Sequence, residues 1–99
     1  MIFDIVFDER ALREWKKLDY SIREQFKKKL KKLKKLQLNP YIESLRLHGE
    51  LSNCYKIKLR ASGFRLVYQV VDDEIVIFVV AVGKREDKKV YNSAIERLP

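Results

Sequence analysis

The sequence has little of several residue types that mark particular classes of protein. It contains one cysteine, Cys54, and one histidine, His48, so it can form no internal disulfide and offers no ordinary zinc site. Cys54 is therefore expected to be a small buried thiol in a reducing cytosol. The N-terminus lacks the basic segment and long apolar run of a signal peptide, and the apolar run at 75–82 is too short to span a bilayer. A cytoplasmic protein without membrane contact is predicted.

Negative charge is also missing from the middle of the chain. Residues 51–71 hold four cations and no Asp or Glu, in a chain of 99 residues with a net charge of +8. Positive charge collected on one sheet face costs stability unless a polyanion is the partner. The pattern therefore favours nucleic acid, a ribosome or an acidic protein, and RNA above any small molecule. The length predicts a single domain, residues 1–99.

A strand and two helices are predicted in the first half. Residues 2–7 alternate as a strand, and Asp8 can cap the helix that follows. Ser21 and Glu24 have the spacing of a capping box that opens a second helix, which Asn39 and Pro40 end. The apolar positions at helical spacing are Ala11, Leu12, Trp15, Leu18, Ile22, Phe26, Leu30 and Leu33. This spacing places Trp15 and Phe26 in the core.

The second half is predicted to contain three strands, at 55–60, 64–71 and 75–82. A short C-terminal helix follows Gly83. The element order is β-α-α-β-β-β-α. This order predicts an α+β fold with a mostly antiparallel sheet of about four strands and helices, including an N-terminal helical hairpin, packed on one face.

The hydrophobic pattern indicates how the first two of these strands pair. A two-residue loop of Ser62 and Gly63 would collect the polar side chains on one face and the apolar ones on the other. The predicted pairs are Arg60 with Arg65, Lys58 with Val67 and Lys56 with Gln69. A three-residue loop would bury charge among apolar residues.

The register of the last strand is less constrained, because residues 75–82 are apolar on both faces. A three-residue loop at 72–74 would place the odd-numbered residues of this strand on the face of Arg65. Arg85 would then lie beside Arg65 and Lys58, the small Ala81 and Gly83 would leave room above the sheet, and Lys84 would point elsewhere.

Several motifs, in order, resemble the RelE family of bacterial toxin–antitoxin toxins. They are Cys-Tyr-Lys-Ile-Lys-Leu-Arg at 54–60, Ser-Gly-Phe-Arg-Leu-Val-Tyr-Gln-Val at 62–70, Val-Gly-Lys-Arg-Glu at 82–86 and Val-Tyr at 90–91. Phe-Asp-Glu-Arg-Ala-Leu at 7–12, Glu-Trp at 14–15, Arg-Glu-Gln at 23–25 and Lys-Lys-Lys-Leu at 27–30 extend the likeness over the chain. The resemblance implies a ribosome-dependent endoribonuclease that cleaves mRNA in the ribosomal A site and stops translation. It also implies a RelB-like antitoxin, expected to be acidic and partly disordered, through which alone operator DNA is bound.

The resemblance implies a catalytic set of Lys56, Lys58, Arg65, Arg85 and Tyr91. RNA carries its own nucleophile, the 2′-hydroxyl, so the protein needs to align it, stabilise the phosphorane and move protons. Arg65 suits the charge-stabilising role, and Arg85 could add to that clamp or neutralise the leaving oxygen. Lys56 is the expected proton acceptor, because neighbouring cations favour its neutral form. The expected products are a 2′,3′-cyclic phosphate and a 5′-hydroxyl, with no metal or cofactor.

Tyr91 has two interpretations. Its ring could stack on an unpaired base, worth ~1–3 kcal/mol. It also falls on an apolar helical stripe, which is typical of core packing.

Further cations are expected to contact RNA. The family pattern has an arginine before the glycine that precedes the Cys-Tyr-Lys motif; here His48 precedes Gly49, and Arg46 could replace the lost contact. His48 could equally be an exposed loop residue. Seven lysines lie between 27 and 35, either as a solvated helix face or as a surface for ribosomal RNA. The expected RNA-binding set is His48, Arg46, Arg60, Lys84, Lys28, Lys31, Lys32 and Lys35.

Two other functions compete with the ribonuclease hypothesis. One is a non-catalytic basic module that binds ribosomal RNA or DNA. The other is a gyrase-inhibiting toxin like ParE, which shares the architecture without the ribonuclease residues. Lys56 and Lys58 together with Arg65, Arg85 and Tyr91 argue against both.

Overall fold

A computed structural model describes residues 4–34, 46–47, 49–71, 76–84 and 86–98. The elements are β1 (Asp4–Phe7), α1 (Glu9–Lys16), α2 (Tyr20–Lys34), β2 (Cys54–Leu59), β3 (Phe64–Val71), β4 (Val76–Lys84) and α3 (Lys89–Arg97). Single 3-10 turns lie at Gly49–Leu51 and Glu86–Lys88. This order confirms the predicted α+β class. Within the described ranges, no helix is long and apolar enough to cross a membrane. The predicted end of α2 at Asn39 and Pro40 lies outside the described residues.

The four strands form one sheet in the order β1-β4-β3-β2. β2 pairs antiparallel with β3 and β3 antiparallel with β4, whereas β1 runs parallel to β4. The sheet is thus mostly antiparallel, as predicted. β1 and β2 form its two edges, and the α1–α2 hairpin lies between them in the chain.

The predicted cap of α1 is confirmed. Asp8 Oδ1 accepts hydrogen bonds from the backbone N–H groups of Arg10, at 2.8 Å, and Ala11, at 3.4 Å. The predicted capping box of α2 is wrong, because the helix begins at Tyr20 and Ser21 already lies in its first turn. The Ser21 hydroxyl instead lies 3.3 Å from Gln25 Nε2, one helical turn further along, and accepts a hydrogen bond from it.

One face of the sheet, here called the hairpin face, is covered by α1 and α2. Phe26 is fully buried there, and the Trp15 ring lies 6.3 Å from Phe26 and 5.3 Å from Phe7, measured between centroids. The prediction that Trp15 and Phe26 belong to the core is therefore confirmed. The sheet residues of this core are Tyr55, Ile57, Leu59, Leu66, Tyr68, Ile77, Val79 and Val82.

The opposite face, here called the cleft face, is partly covered by α3. Val90 and Ala94 of α3 pack with Val67, Val80 and Ala81 of the sheet in a second buried cluster. The prediction that the helices share one face is therefore wrong for α3: the apolar residues on this side of β3 and β4 also need cover. Cys54 belongs to the same cluster and is fully buried, which raises the pKa of its thiol to about 11.

The β2–β3 hairpin has a four-residue loop, 60–63. Leu59 pairs with Phe64, Lys58 with Arg65, and Lys56 with Val67. The predicted pairs are wrong by two residues, but an even shift leaves every side chain on its predicted face. Gly63 makes the loop feasible, since it adopts φ +75° and its N–H donates to the Leu59 carbonyl oxygen at 3.0 Å.

The β3–β4 register changes along its length. Val71 pairs with Val76, so the predicted three-residue loop is wrong, and residues 72–75 lie outside the described part of the chain. A bulge beside Tyr68 leaves Val80 unmatched, so that Val67 pairs with Ala81 and Arg65 with Gly83. The bulge thereby restores the expected placement of odd-numbered β4 residues next to Arg65.

Candidate active site

The cleft face contains a cavity of about 250 Å³ lined by five residues from separate segments, here called the cationic cleft. Lys56 and Lys58 reach it from alternate positions of β2, Arg65 from β3 and Tyr91 from α3; Leu47, before β2, completes the lining. Four of the five residues predicted to be catalytic therefore lie together. The fifth, Arg85, lies outside the described residues.

Arg65 is the most buried charged residue of the cleft. Its residue surface is only 9% exposed, and Nη1 donates to the Phe64 carbonyl oxygen at 3.0 Å. Its Nε is buried and has no hydrogen-bond partner in the described structure. A buried guanidinium nitrogen left unpaired is costly, so the Arg65 side chain would gain from an anion bound in the cleft.

Charge in the cleft is of one sign. Lys58 pairs directly opposite Arg65, and Lys56 is two residues away on the same face of β2. No Asp or Glu is among the described residues that line the cavity. Like charges directly opposite each other destabilise a sheet, whereas ammonium and guanidinium groups bind phosphate strongly. The arrangement can hold a phosphodiester and stabilise additional negative charge on it.

The two apolar residues of the cleft give it a surface for a base. Tyr91 is half-buried: it packs against the second core cluster, as one interpretation predicted, and it also lines the cleft. Stacking of its ring on a base stays a prediction. Leu47 is held beside it by a hydrogen bond from its N–H to the Cys54 carbonyl oxygen, 2.9 Å. Sequence reasoning missed Leu47, because a single leucine in an irregular segment carries no periodic signal.

Three other cations predicted to bind RNA, Arg46, Arg60 and Lys84, are not among the described residues that line the cleft. The backbone of Arg46 forms an isolated antiparallel β-bridge with that of Tyr55. Its side-chain Nε donates a hydrogen bond to the Ser52 carbonyl oxygen at 2.7 Å. Arg60 is exposed in the hairpin loop. Lys84 Nζ lies 5.7 Å from the Phe64 ring centroid, on the hairpin-face side, so it is outside the cleft, as predicted from its parity. His48 lies outside the described residues.

The basic surface of α2 is exposed and approaches the end of β2. Lys28, Lys31 and Lys32 are exposed, and Lys29 Nζ lies 3.5 Å from the Lys58 carbonyl oxygen and donates to it. This contact brings the cationic helix next to the strand that carries two cleft lysines. Lys35 lies outside the described residues.

Comparison with known proteins gives matches over most or all of the chain. Residues 5–89 match the family described as the ParE toxin of the type II toxin–antitoxin system parDE. The chain is 52% identical over 98 residues to the mRNA interferase toxin RelE of Escherichia coli K12, covering 99% of each protein.

Two solved structures have the same fold. A free E. coli RelE toxin carrying two arginine-to-alanine substitutions matches with a TM-score of 0.86 and 50% identity over all of both chains. The toxin in the intact E. coli RelBE toxin–antitoxin complex matches with a TM-score of 0.75 and 55% identity, covering 83% of this chain and 95% of that one. Fold, sequence and cleft agree: this chain belongs to the RelE/ParE toxin family of type II toxin–antitoxin systems.

Proposed function

We propose that this chain is the toxin of a toxin–antitoxin pair and a ribosome-dependent endoribonuclease that cleaves mRNA in the A site. The substrate's 2′-hydroxyl attacks the adjacent phosphorus, the bond to the 5′-oxygen breaks, and a 2′,3′-cyclic phosphate and a 5′-hydroxyl result. The relative named mRNA interferase toxin RelE supports this reaction class. The cytoplasm, where ribosomes translate, is the expected site of action.

The observation that carries the proposal is the largely buried Arg65, whose Nε is unpartnered, in a cleft that two lysines also line. A planar, permanently charged guanidinium matches the geometry of phosphate oxygens and loses little entropy on binding. In the transition state the phosphorane carries more negative charge than the bound ester. A fixed cation therefore stabilises it more than the ground state, which accelerates the reaction.

Lys56 and Lys58 are proposed to move protons and to hold the ester. Lys56 lies on the same strand face as Lys58 and lines the same cavity, so its amine is proposed to accept the 2′-hydroxyl proton. None of the described residues lining the cleft is a His or Glu, the usual acid–base groups. The ribosome is therefore proposed to supply substrate orientation, and activity on free RNA is expected to be weak.

Binding outside the reacting centre is assigned to the surrounding residues. Tyr91 and Leu47 would contact a base, and Arg85 would complete the cation clamp. The lysines of α2, together with Arg46, His48, Arg60 and Lys84, would contact RNA backbone, which positions the toxin without reading sequence.

A groove on the hairpin face is proposed as a docking site for the antitoxin. It has a volume of about 400 Å³, its floor is formed by Ile5, Phe7, Trp15 and Leu30, and Lys27 and Lys31 lie at its rim. An apolar floor with a cationic rim suits an acidic segment that folds on binding. Operator DNA would be bound only through such an antitoxin.

The test compares mRNA from cells that express the wild type with mRNA from cells that express an Arg65→Ala, Arg85→Ala double variant. Translation-dependent cleavage with 5′-hydroxyl ends is expected for the wild type. The double variant is expected to lose it by more than about 100-fold, the usual cost of removing a transition-state donor. Arg13→Ala, which removes an exposed cation of α1, is the matched control and should cleave normally.

Two results would overturn the proposal. Growth arrest with intact transcripts for the wild type would favour a gyrase-directed toxin. Equal cleavage by the wild type and the double variant would remove the cationic cleft from the mechanism.

A further inference from the structure

The helix α3 places Tyr91 at the cleft, yet little within the helix itself fixes its position. It has nine residues, its N-cap Lys88 adopts φ +57° without a side-chain capping bond, and its first turn has no acidic residue. Isolated helices of this length are not stable in water. The position of Tyr91 therefore depends on what holds α3 to the sheet.

The N-terminal half of α3 contacts the sheet through Val90, which is almost fully buried. Val90 packs above Gly83, the residue paired with Arg65, and a Cβ built on Gly83 would lie 3.8 Å from Val90 Cβ. Gly83 itself has no side chain, so it cannot interlock with Val90 at this point. Sliding or tilting of α3 at this end would change the cleft directly.

The C-terminal end of α3 is held by an ion pair that reaches around the sheet edge, here called the Glu14–Arg97 clasp. Arg97 Nη1 lies 2.6 Å from Glu14 Oε1, and Nη2 lies 3.2 Å from Oε2. The Arg97 side chain is only 11% exposed. Glu14 belongs to α1 on the hairpin face, so the clasp joins helices that lie on opposite faces.

The clasp also binds the open edge of β4. β1 ends at Phe7, opposite Val79, so the following β4 residues pair with β3 on one side and have no described strand on the other. Arg97 Nη1 donates to the Val80 carbonyl oxygen at 3.1 Å, and the Val82 N–H donates to Glu14 Oε1 at 3.2 Å. Four hydrogen bonds thus fix Arg97 and Glu14 relative to the two strand residues that flank Ala81. A lysine could not reproduce this planar, two-pronged contact.

We propose that the Glu14–Arg97 clasp positions Tyr91 in the cationic cleft, and that Glu14 and Arg97 are positioning residues of the RNA site. This inference rests on the proposed function. Tyr91 and Arg97 are six residues apart on one helix, a rise of about 9 Å, so a shift at the clasp is transmitted to the ring. A misplacement near 1 Å is enough to slow a well-oriented reaction by up to about 100-fold.

The first test is a double-mutant cycle in single-turnover cleavage of ribosome-bound mRNA. Arg97→Lys and Glu14→Gln are each expected to lower the cleavage rate constant by about 10- to 100-fold at saturating ribosome, with little change in the half-saturating concentration. In a Tyr91→Ala background the same substitutions should change the rate by less than about twofold, because the group they position is gone. If each clasp substitution lowers the rate by the same factor in the wild-type and Tyr91→Ala backgrounds, the proposal is overturned. Glu96→Gln, an exposed change on the same helix, is the matched control.

The second test needs neither ribosome nor RNA. Protein labelled with 3-fluorotyrosine is examined by fluorine NMR, and the Tyr91 resonance is assigned by its loss in Tyr91→Phe. Arg97→Lys and Glu14→Gln should shift or broaden this resonance, and Glu96→Gln should not. An unchanged resonance in both clasp variants would overturn the proposal even if cleavage is altered.

These readouts separate the two levels of inference. If the wild type leaves mRNA intact, the proposed function fails, while the Tyr91 resonance still decides whether the clasp positions the ring. Circular dichroism identifies folded variants, and Glu14→Gln, which keeps an acceptor for the Val82 N–H, carries the test if Arg97→Lys does not fold. If neither folds, the clasp is a structural element only and the proposal is overturned.

Discussion

The two faces of the β2–β3 hairpin have opposite character on the same backbone. On the hairpin face, Ile57 and Leu66 pair with each other and are buried among aromatic and aliphatic side chains. On the cleft face, the next pair along is Lys58 and Arg65. One set of side chains gains stability from burial, whereas the other holds like charges close together at a cost.

This difference indicates which residues serve folding and which serve binding. A charged pair in direct register adds nothing to a stable sheet, so we attribute its presence to the proposed RNA ligand. The hairpin face can supply the stability that the cleft face lacks. The comparison predicts that substitutions on the two faces will have effects of opposite sign on stability.

The largest effect is expected on the hairpin face. Phe26→Ala removes a fully buried ring and should lower the free energy of unfolding by about 3–5 kcal/mol, measured by urea denaturation. Ser21→Ala, an exposed change on the same helix, should alter it by less than about 0.5 kcal/mol. A Phe26→Ala loss no larger than that of Ser21→Ala would show that α2 contributes little to the core.

The lysines of α2 test whether charge outside the cleft binds without reacting. Lys28→Glu, Lys31→Glu and Lys32→Glu together should reduce ribosome affinity by roughly 100-fold at 0.1 M salt, since each phosphate contact contributes ~0.7–0.9 log units per decade of salt. Cleavage at saturating ribosome should be unchanged. Unaltered binding at physiological salt would reject the contact with ribosomal RNA, and a slower reaction at saturation would assign these lysines a role in the chemistry.

Asp8 tests how far the hairpin face depends on one helix cap. Burial raises the pKa of Asp8. Hydrogen bonds from the Arg10 side chain and from the N–H groups of Arg10 and Ala11 lower it by more, so the pKa lies below its usual 3.8. Because the pKa of Asp8 is lower in the folded state, its ionised carboxylate stabilises the fold at pH values above the pKa of the unfolded chain. This contribution is lost as the pH falls through the pKa of the folded state.

Asp8→Ala should therefore cost about 1 kcal/mol of unfolding free energy at neutral pH, and the difference from wild type should shrink below pH 3.8. Asp8→Asn keeps the capping acceptor and should lose less. Unfolding curves at several pH values measure both. A difference that stays constant into acid would contradict the role of the ionised carboxylate.

The smallest effect is expected on the cleft face and has the opposite sign. Lys58→Gln removes one of two like charges in register and should raise the unfolding free energy by about 0.2–1 kcal/mol, while mRNA cleavage falls. Arg13→Gln is a control that removes an exposed cation from helix α1, outside the sheet. Destabilisation by Lys58→Gln would show that the pair is held by interactions that outweigh repulsion.

The alternation of apolar and cationic residues predicted which face of the sheet each side chain occupies, but it did not predict which residues pair across the strands. The apolar and cationic residues of 55–70 determine which side each occupies, but the same faces result from any loop with an even number of residues. The observed four-residue loop therefore kept Lys58 and Arg65 together while changing their partners. In β4, which is apolar on both sides, no pattern indicated the bulge at Val80.

Long-range contacts account for what the sequence could not indicate about the site. Family resemblance brought together Lys56, Lys58, Arg65 and Tyr91, which the structure places around one cavity. Leu47 and the Glu14–Arg97 clasp were missed. Glu14 and Arg97 are 83 residues apart, and neither lies in a local motif that signals a partner. Because α3 lies on the cleft face, Tyr91 lines the cavity with Leu47, and Arg97 reaches Glu14. The amphipathic pattern of a helix does not indicate which face of a sheet it covers.

The buried thiol of Cys54 has a practical consequence. With a pKa near 11 and no exposed surface, it is almost entirely protonated at neutral pH and shielded from reagents. Maleimide dyes should therefore not react with Cys54 in the native protein, but they should react with a cysteine introduced on its surface. A single engineered thiol on α3 would make a site-specific fluorescent reporter without removing the natural one.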